Sequence, residues 1–117
     1  MARLKLLPEA EKDEEAIISD SLIHWGLNSA IKYQNLLQKA YEQLSDNPLL
    51  VTSRLIDKKN NTRSLPLWLV PQPDLAMRVK NPPHILFYQI NSPDQVTIVR
   101  ILHRQMNHRR YLGAETP

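Results

Sequence analysis

The chain has 117 residues, with 15 Lys and Arg against 12 Asp and Glu for a formal charge of +3, and this length predicts a single domain over 1–117. A chain of this size buries roughly 60–70% of its unfolded surface, enough for one hydrophobic core. With 2 Gly it cannot build the glycine-rich cradle of a dinucleotide or P-loop site, and with 0 Cys it excludes thiol catalysis, iron–sulfur clusters and disulfide staples.

The charge is polarised along the sequence. Residues 1–47 carry five basic and eight acidic side chains, a net −3, while residues 48–117 carry ten and four, a net +6. The C-terminal half is therefore suited to an anionic partner surface. No apolar run approaches the ~20 residues of a membrane span, and the N-terminus lacks a hydrophobic signal core. A soluble cytoplasmic protein without a membrane partner is expected.

In chain order, the opening ARLKLL alternates weakly and is stopped by Pro8, which predicts a short strand followed by a helix with Pro in its first turn. Glu9, Glu11, Asp13, Glu14 and Glu15 suit the positive end of that helix dipole, and Ile17, Ile18, Leu22 and Trp25 supply its apolar face. Leu7 has no side-chain oxygen and is a poor cap. Gly26 ends the helix, and after a break of two to three residues Asn28 or Ser29 caps a second one. There Tyr33, Leu36, Leu37, Ala40, Tyr41 and Leu44 recur at helical spacing until Asn47-Pro48 stops it, so the two helices form an antiparallel hairpin.

Beyond Pro48 the hydrophobic period shifts from helical to alternating. Residues 64–70, 75–80, 84–90 and 95–103 read as strand-like runs, the last two joined by a Ser92-Pro93-Asp94 turn as a hairpin. Residues 57–62 read as a polar loop, and 68–83, with prolines at 71, 73, 82 and 83, as an irregular or extended-hairpin segment. The predicted order is β-α-α-β-β-β, an α+β domain with the helical hairpin on a small, mainly antiparallel sheet.

None of His24, His84, His103 and His108 has metal-ligand spacing, so no metal and no cofactor are expected. His103 lies among Arg100, Arg104, Arg109 and Arg110 and has the chemistry for proton transfer near neutral pH. The acids Asp13, Glu14, Glu15 and Asp20 read as a solvated helix face rather than paired catalytic carboxylates. The densest functional signal is basic: Arg100, His103, Arg104, His108, Arg109 and Arg110, with Arg63, Arg54, Lys58 and Lys59 placed to extend it. On one continuous strand Arg100 and Arg104 would share a face opposite His103. Trp25, Tyr33 and Tyr41 fall on helical core spacing, whereas Trp68, beside the proline-rich segment, is expected to be partly exposed.

The segments LLPEAEKDEEAI, HWG, AIKYQNLLQKAYEQLSDNPLL, RSLP, HILFYQI and VTIVRILHRQMNHRRYL, in this order over about residues 4–112, resemble the ParE branch of the RelE/ParE toxin superfamily. That resemblance implies the toxin of a bacterial type II toxin–antitoxin pair that inhibits DNA gyrase by direct binding and is neutralised by a cognate ParD-like antitoxin. RelE relatives instead cleave mRNA in the ribosomal A site, and the shared fold does not choose between them. Arg63 in RSLP matches the basic position opening the second strand, and Arg100, His103, Arg104 and Met106 match an R-x-L-H-x-x-M ending. RelE-type nucleases finish this strand with Tyr or His-Tyr, where this chain has Leu102-His103-Arg104, a departure that favours the non-enzymatic ParE activity.

The expected target-binding set is therefore Arg63, Arg100, His103, Arg104, Arg109 and Arg110. In the alternative of a ribosome-dependent endoribonuclease, Arg63, His103 and Arg104 would surround the scissile phosphate. A third alternative is a basic nucleic-acid-binding accessory protein. The antitoxin-binding residues are not identifiable from the sequence. Pro66 and His84 enclose 17 residues where the family turns within a few, an insertion at about 68–83.

Overall fold

The computed structural model describes residues 1–112; Gly113 and Glu115, counted above in the composition and charge, lie outside them. Strand β1, Arg3–Leu6, ends where Pro8 opens helix α1, Pro8–Trp25. As the sequence predicts, Leu7 gives that helix no side-chain cap. Its own N–H donates instead to the Ile98 carbonyl at 3.0 Å, and Pro8 has no N–H to satisfy.

Helix α2, Leu27–Asp46, follows after Gly26 alone. Gly26, at φ 96° and ψ 176°, occupies both the C-cap of α1 and the N-cap of α2, so neither Asn28 nor Ser29 caps and the expected longer break is absent. A residue without a Cβ reaches this conformation at little cost, which is why one residue can reverse the chain. Tyr33, Leu36, Leu37, Ala40 and Leu44 are buried as their spacing predicts, and Asn47 ends the helix. α1 departs from expectation. Ala10 and Ile17 are buried, but Leu22 is 47% and Trp25 78% exposed. No residue between Ile18 and Ala30 is buried, so the closed end of the hairpin lies beyond the core.

The sheet has five strands in the order β1-β5-β4-β3-β2, with β1 parallel to β5 and every other pair antiparallel. Strand β2 is Arg54–Asp57, β3 Thr62–Pro66, β4 His84–Ser92 and β5 Gln95–His103. The α+β hairpin-on-sheet architecture is as expected, with three differences in the strands. β2 was not anticipated, and the polar loop shrinks to residues 58–61 between β2 and β3. The run 64–70 is strand only to Pro66, which lacks an N–H to continue the ladder, and then forms a 3-10 turn at Leu67–Leu69. The run 75–80 is not a strand: Leu75–Met77 is a 3-10 turn capped by Asp74, whose Oδ1 accepts the Ala76 N–H at 3.0 Å.

The long connection is irregular but anchored. Leu67 and Val70 are buried in the core, and the Gln72 amide clasps Val79, donating to its carbonyl at 3.1 Å and accepting its N–H at 2.7 Å. Trp68 is 41% exposed, as expected. The core itself lies between the hairpin and one sheet face, where Leu65, Leu86, Tyr88, Val96, Ile98 and Ile101 meet the inward residues of α1 and α2. Each fully buried Leu or Ile there contributes about 1.5–3 kcal/mol. The sheet's other face is partly closed by a short helix α3, His108–Tyr111, whose His108 ring lies 4.8 Å from that of Phe87.

Candidate functional site

Because β1 ends at Leu6, the outer side of β5 has no strand neighbour beyond Ile98. Asp13 of α1 fills that gap. Its Oδ2 accepts the Ile101 N–H at 2.9 Å, and its two oxygens take the Arg100 guanidinium in a fork, Nε at 2.7 Å and Nη2 at 2.9 Å. Bidentate pairing of this kind is the strongest arrangement open to an Arg and a carboxylate, and it holds the Arg100 pKa above its ordinary value. The guanidinium also donates to the Tyr111 carbonyl at 3.4 Å and lies 5.5 Å from the centre of that ring, tying α3 to β5. Tyr111 is thus seated on Arg100.

The reading of the α1 acids as a solvated face is corrected at two positions. Asp13 is half-buried in this pair, and Glu14 accepts a hydrogen bond from the Tyr41 hydroxyl. Glu15 and Asp20 are exposed, as expected.

At the end of the sheet, His84 opens β4 directly opposite His103, the last residue of β5. The rings stand edge to face with centroids 5.5 Å apart, and His84 Nδ1 shares a 2.6 Å hydrogen bond with the Tyr33 hydroxyl of α2. Burial, and then the nearby His103, lower the His84 pKa to about 4, while burial pushes the Tyr33 hydroxyl well above its ordinary value. His103 Nδ1 accepts the Gln105 N–H at 3.1 Å, and its carbonyl accepts from His108 Nε2 at 3.1 Å. The first of these bonds places the proton of a neutral His103 on Nε2.

The structure divides the expected site residues into three places. Arg100 is engaged by Asp13. Arg63 is half-buried on β3, donating from Nε to Ser53 Oγ at 3.1 Å and from Nη2 to the Ser53 carbonyl at 3.4 Å. It pairs across the sheet with Tyr88, four residues from the His84–His103 pair. At ~3.3 Å per residue this sets Arg63 roughly 13 Å along the sheet from His103. Arg104, Arg109 and Arg110 are exposed, and among the described residues their side chains make no hydrogen bond or ion pair. β5 ends at His103 and Arg104 lies in the turn after it, so Arg104 does not share a strand face with Arg100; its N–H is held by the Pro83 carbonyl at 2.8 Å. His24 lies in the last turn of α1, its Nδ1 donating to the Asp20 carbonyl at 3.0 Å.

Tyr33, His84 and Asp13 are the neighbours that sequence reasoning missed. For Asp13 a signal existed: it lies three residues after Ala10 and four before Ile17, both buried, and so shares their inward stripe. Among the described residues no group of His, Asp or Glu is arranged to hold a metal ion, and no helix is long and apolar enough to cross a membrane.

Three similarities place this geometry among known proteins. Toxin ParE1 of Caulobacter vibrioides is 26% identical over 118 residues, covering 97% of this chain and all of that protein. A solved structure described as the chromosomal ParDE TA system from P. aeruginosa shares the fold with a TM-score of 0.58 at 19% identity, covering 88% of this chain and 96% of that one. The family described as "ParE toxin of type II toxin-antitoxin system, parDE" matches residues 4–108. The chain therefore belongs to the ParE toxin family of type II toxin–antitoxin systems.

Proposed function

We propose that this ParE-family toxin inhibits DNA gyrase by direct binding in the cytoplasm and is neutralised by a cognate ParD-like antitoxin. The observation that carries the reading is the separation of Arg63 from His103 and Arg104. A phosphodiester-cleaving site needs its anion-binding cation and proton-transfer group within reach of one phosphate. Here Arg63 is spent on Ser53, and Arg100 on Asp13, far from such a shared point. The exposed cations Arg104, Arg109 and Arg110 instead suit an acidic protein surface, where charge complementarity steers binding without chemistry.

A supercoiling assay tests this. Purified toxin should block gyrase, or trap cleaved DNA, at near-stoichiometric amounts; full gyrase activity at large toxin excess would overturn the proposal. Ribosome-dependent mRNA cleavage that is lost in Arg63→Ala would replace it with the endoribonuclease reading. Steeply salt-dependent binding to nucleic acid with gyrase untouched would replace it with the accessory-protein reading.

A further inference from the structure

The sheet has two outer edges, and they are built differently. β1 exposes Arg3 and Lys5, while its apolar residues Leu4 and Leu6 are partly buried against the core. β2 carries Leu55 and Ile56, 46% and 43% exposed, and the loop before it exposes Leu49 and Val51. It contains no Pro, and its one irregularity lies between Leu55 and Asp57, next to the turn. No described strand pairs with its outer side. An unpaired edge flanked by apolar side chains is a template for strand addition.

Charge selects the occupant. Arg54, Lys58 and Lys59 are exposed on or beside this edge, and Arg63 lies on the neighbouring strand. The one acid among them, Asp57, is occupied within its own turn, accepting the Lys59 and Asn60 N–H groups at 3.1 and 3.3 Å and the Asn60 amide at 2.8 Å. A second copy joined edge to edge would set these cations against their own duplicates, and like charges across a strand pair are destabilising. An acidic segment meets them with opposite charge.

We propose that the outer edge of β2 docks an extended, acidic segment of a partner protein, with apolar residues at alternate positions, as a sixth strand. The proposal deepens the antitoxin part of the proposed function, and rests on that reading only for which partner supplies the segment.

The test uses the full chain, isotopically labelled, and a blocked peptide of alternating Glu and Val about six residues long, enough to span the edge. Bound peptide should slow exchange of the outward-facing amides among residues 54–57 at least about tenfold, and the matching Lys–Val peptide should not. N-methylating one alternate set of peptide nitrogens should abolish binding while the other set is tolerated, since only every second N–H faces the neighbouring strand. Leu55→Asp and, separately, the double change Lys58→Glu and Lys59→Glu should each weaken binding at least about tenfold. All three positions are solvent-facing, and unchanged circular dichroism verifies that the fold is intact. Absent protection at 54–57, equal tolerance of both methylated peptides, or equal binding of the Lys–Val peptide would overturn the proposal. So would a dimer, seen by sedimentation, in which those same amides are protected. Because neither gyrase nor antitoxin is present, each of these failures would leave the proposed function standing, and failed gyrase inhibition would leave the peptide result standing.

Discussion

Asp13 is the most consequential single side chain outside the apolar core, and removing it gives a quantitative test. In Asp13→Ala the Ile101 N–H loses its acceptor in a residue only 2% exposed. An unsatisfied buried donor costs about 1–3 kcal/mol. The Arg100 pair adds about 1 kcal/mol, above the surface norm because its partners are 20% and 14% exposed. The sum is a loss of about 2–4 kcal/mol, a large share of a small domain's total stability.

Urea unfolding followed by circular dichroism measures this. With a slope of about 2 kcal/mol per molar urea, the midpoint should fall by roughly 1–2 M. Asp13→Asn keeps one carbonyl oxygen for the Ile101 N–H and should recover about half of the loss. Arg100→Met, which retains the side-chain stem, should cost about 1 kcal/mol, and the double mutant should show coupling of similar size. The reasoning fails if Asp13→Ala lies within about 0.5 kcal/mol of the parent. It fails in part if Asn and Ala are equivalent, because the amide would then carry none of the effect.

The remaining predictions touch other elements. Reversing Arg109 and Arg110 to Glu should leave the urea midpoint unchanged while weakening gyrase inhibition about tenfold or more, whereas Arg63→Ala should cost about 1–2 kcal/mol of stability by releasing Ser53. Loss of inhibition in Arg63→Ala beyond its loss of folded protein would instead make Arg63 a target contact. His84 titrates near 4 when folded against about 6.5 unfolded, so between those values the unfolded chain binds more protons and stability falls as pH falls. The loss from pH 7.5 to 5 should be about 1–2 kcal/mol, less than the full shift because the ring is partly solvated. His84→Phe should flatten that profile, and an unchanged slope would refute the assignment. Gly26→Ala meets no atom within 4 Å but must hold φ at 96°, so it should cost about 1–3 kcal/mol in the urea midpoint for backbone reasons alone. An unchanged midpoint would show that the hairpin turn can relax.

Where the sequence was readable and where it was not has a physical pattern. α2 was legible because its inward face is continuous over the sheet, so a 3.6-residue period and burial coincide. The end of α1 was not: Leu22, Ile23 and Trp25 carry the composition of a core face but lie where no described layer meets them. β2 was invisible for a related reason. Its four residues pair on one side only, with partners set by β3, and Leu55 and Ile56 are both exposed, so no alternation marks it.

The His84–His103 pair shows how far local chemistry reaches. Counting outward from the tight turn that pairs Ser92 with Gln95, a regular hairpin sets His84 opposite His103, and the structure has that pairing. Yet the ladder between them is not regular. One shift between Ile90 and Ser92 and another between Phe87 and Tyr88 displace the register in opposite senses and cancel, leaving Val99 without a partner. The pairing was thus available from the turn, as were those of Phe87 with Arg100 and Leu86 with Ile101; only the pairs between the shifts, Tyr88 to Ile90, are displaced, and what no turn supplies is the partner outside the ladder for Arg100 and Ile101. Those are the groups that Asp13 binds, from a helix 87 residues earlier in the chain. The basic residues that looked like one patch in sequence were therefore separable only in three dimensions, because what assigns each its role is an acidic or polar partner that is remote in sequence: Asp13 for Arg100, Ser53 for Arg63, and no described partner for Arg104, Arg109 and Arg110.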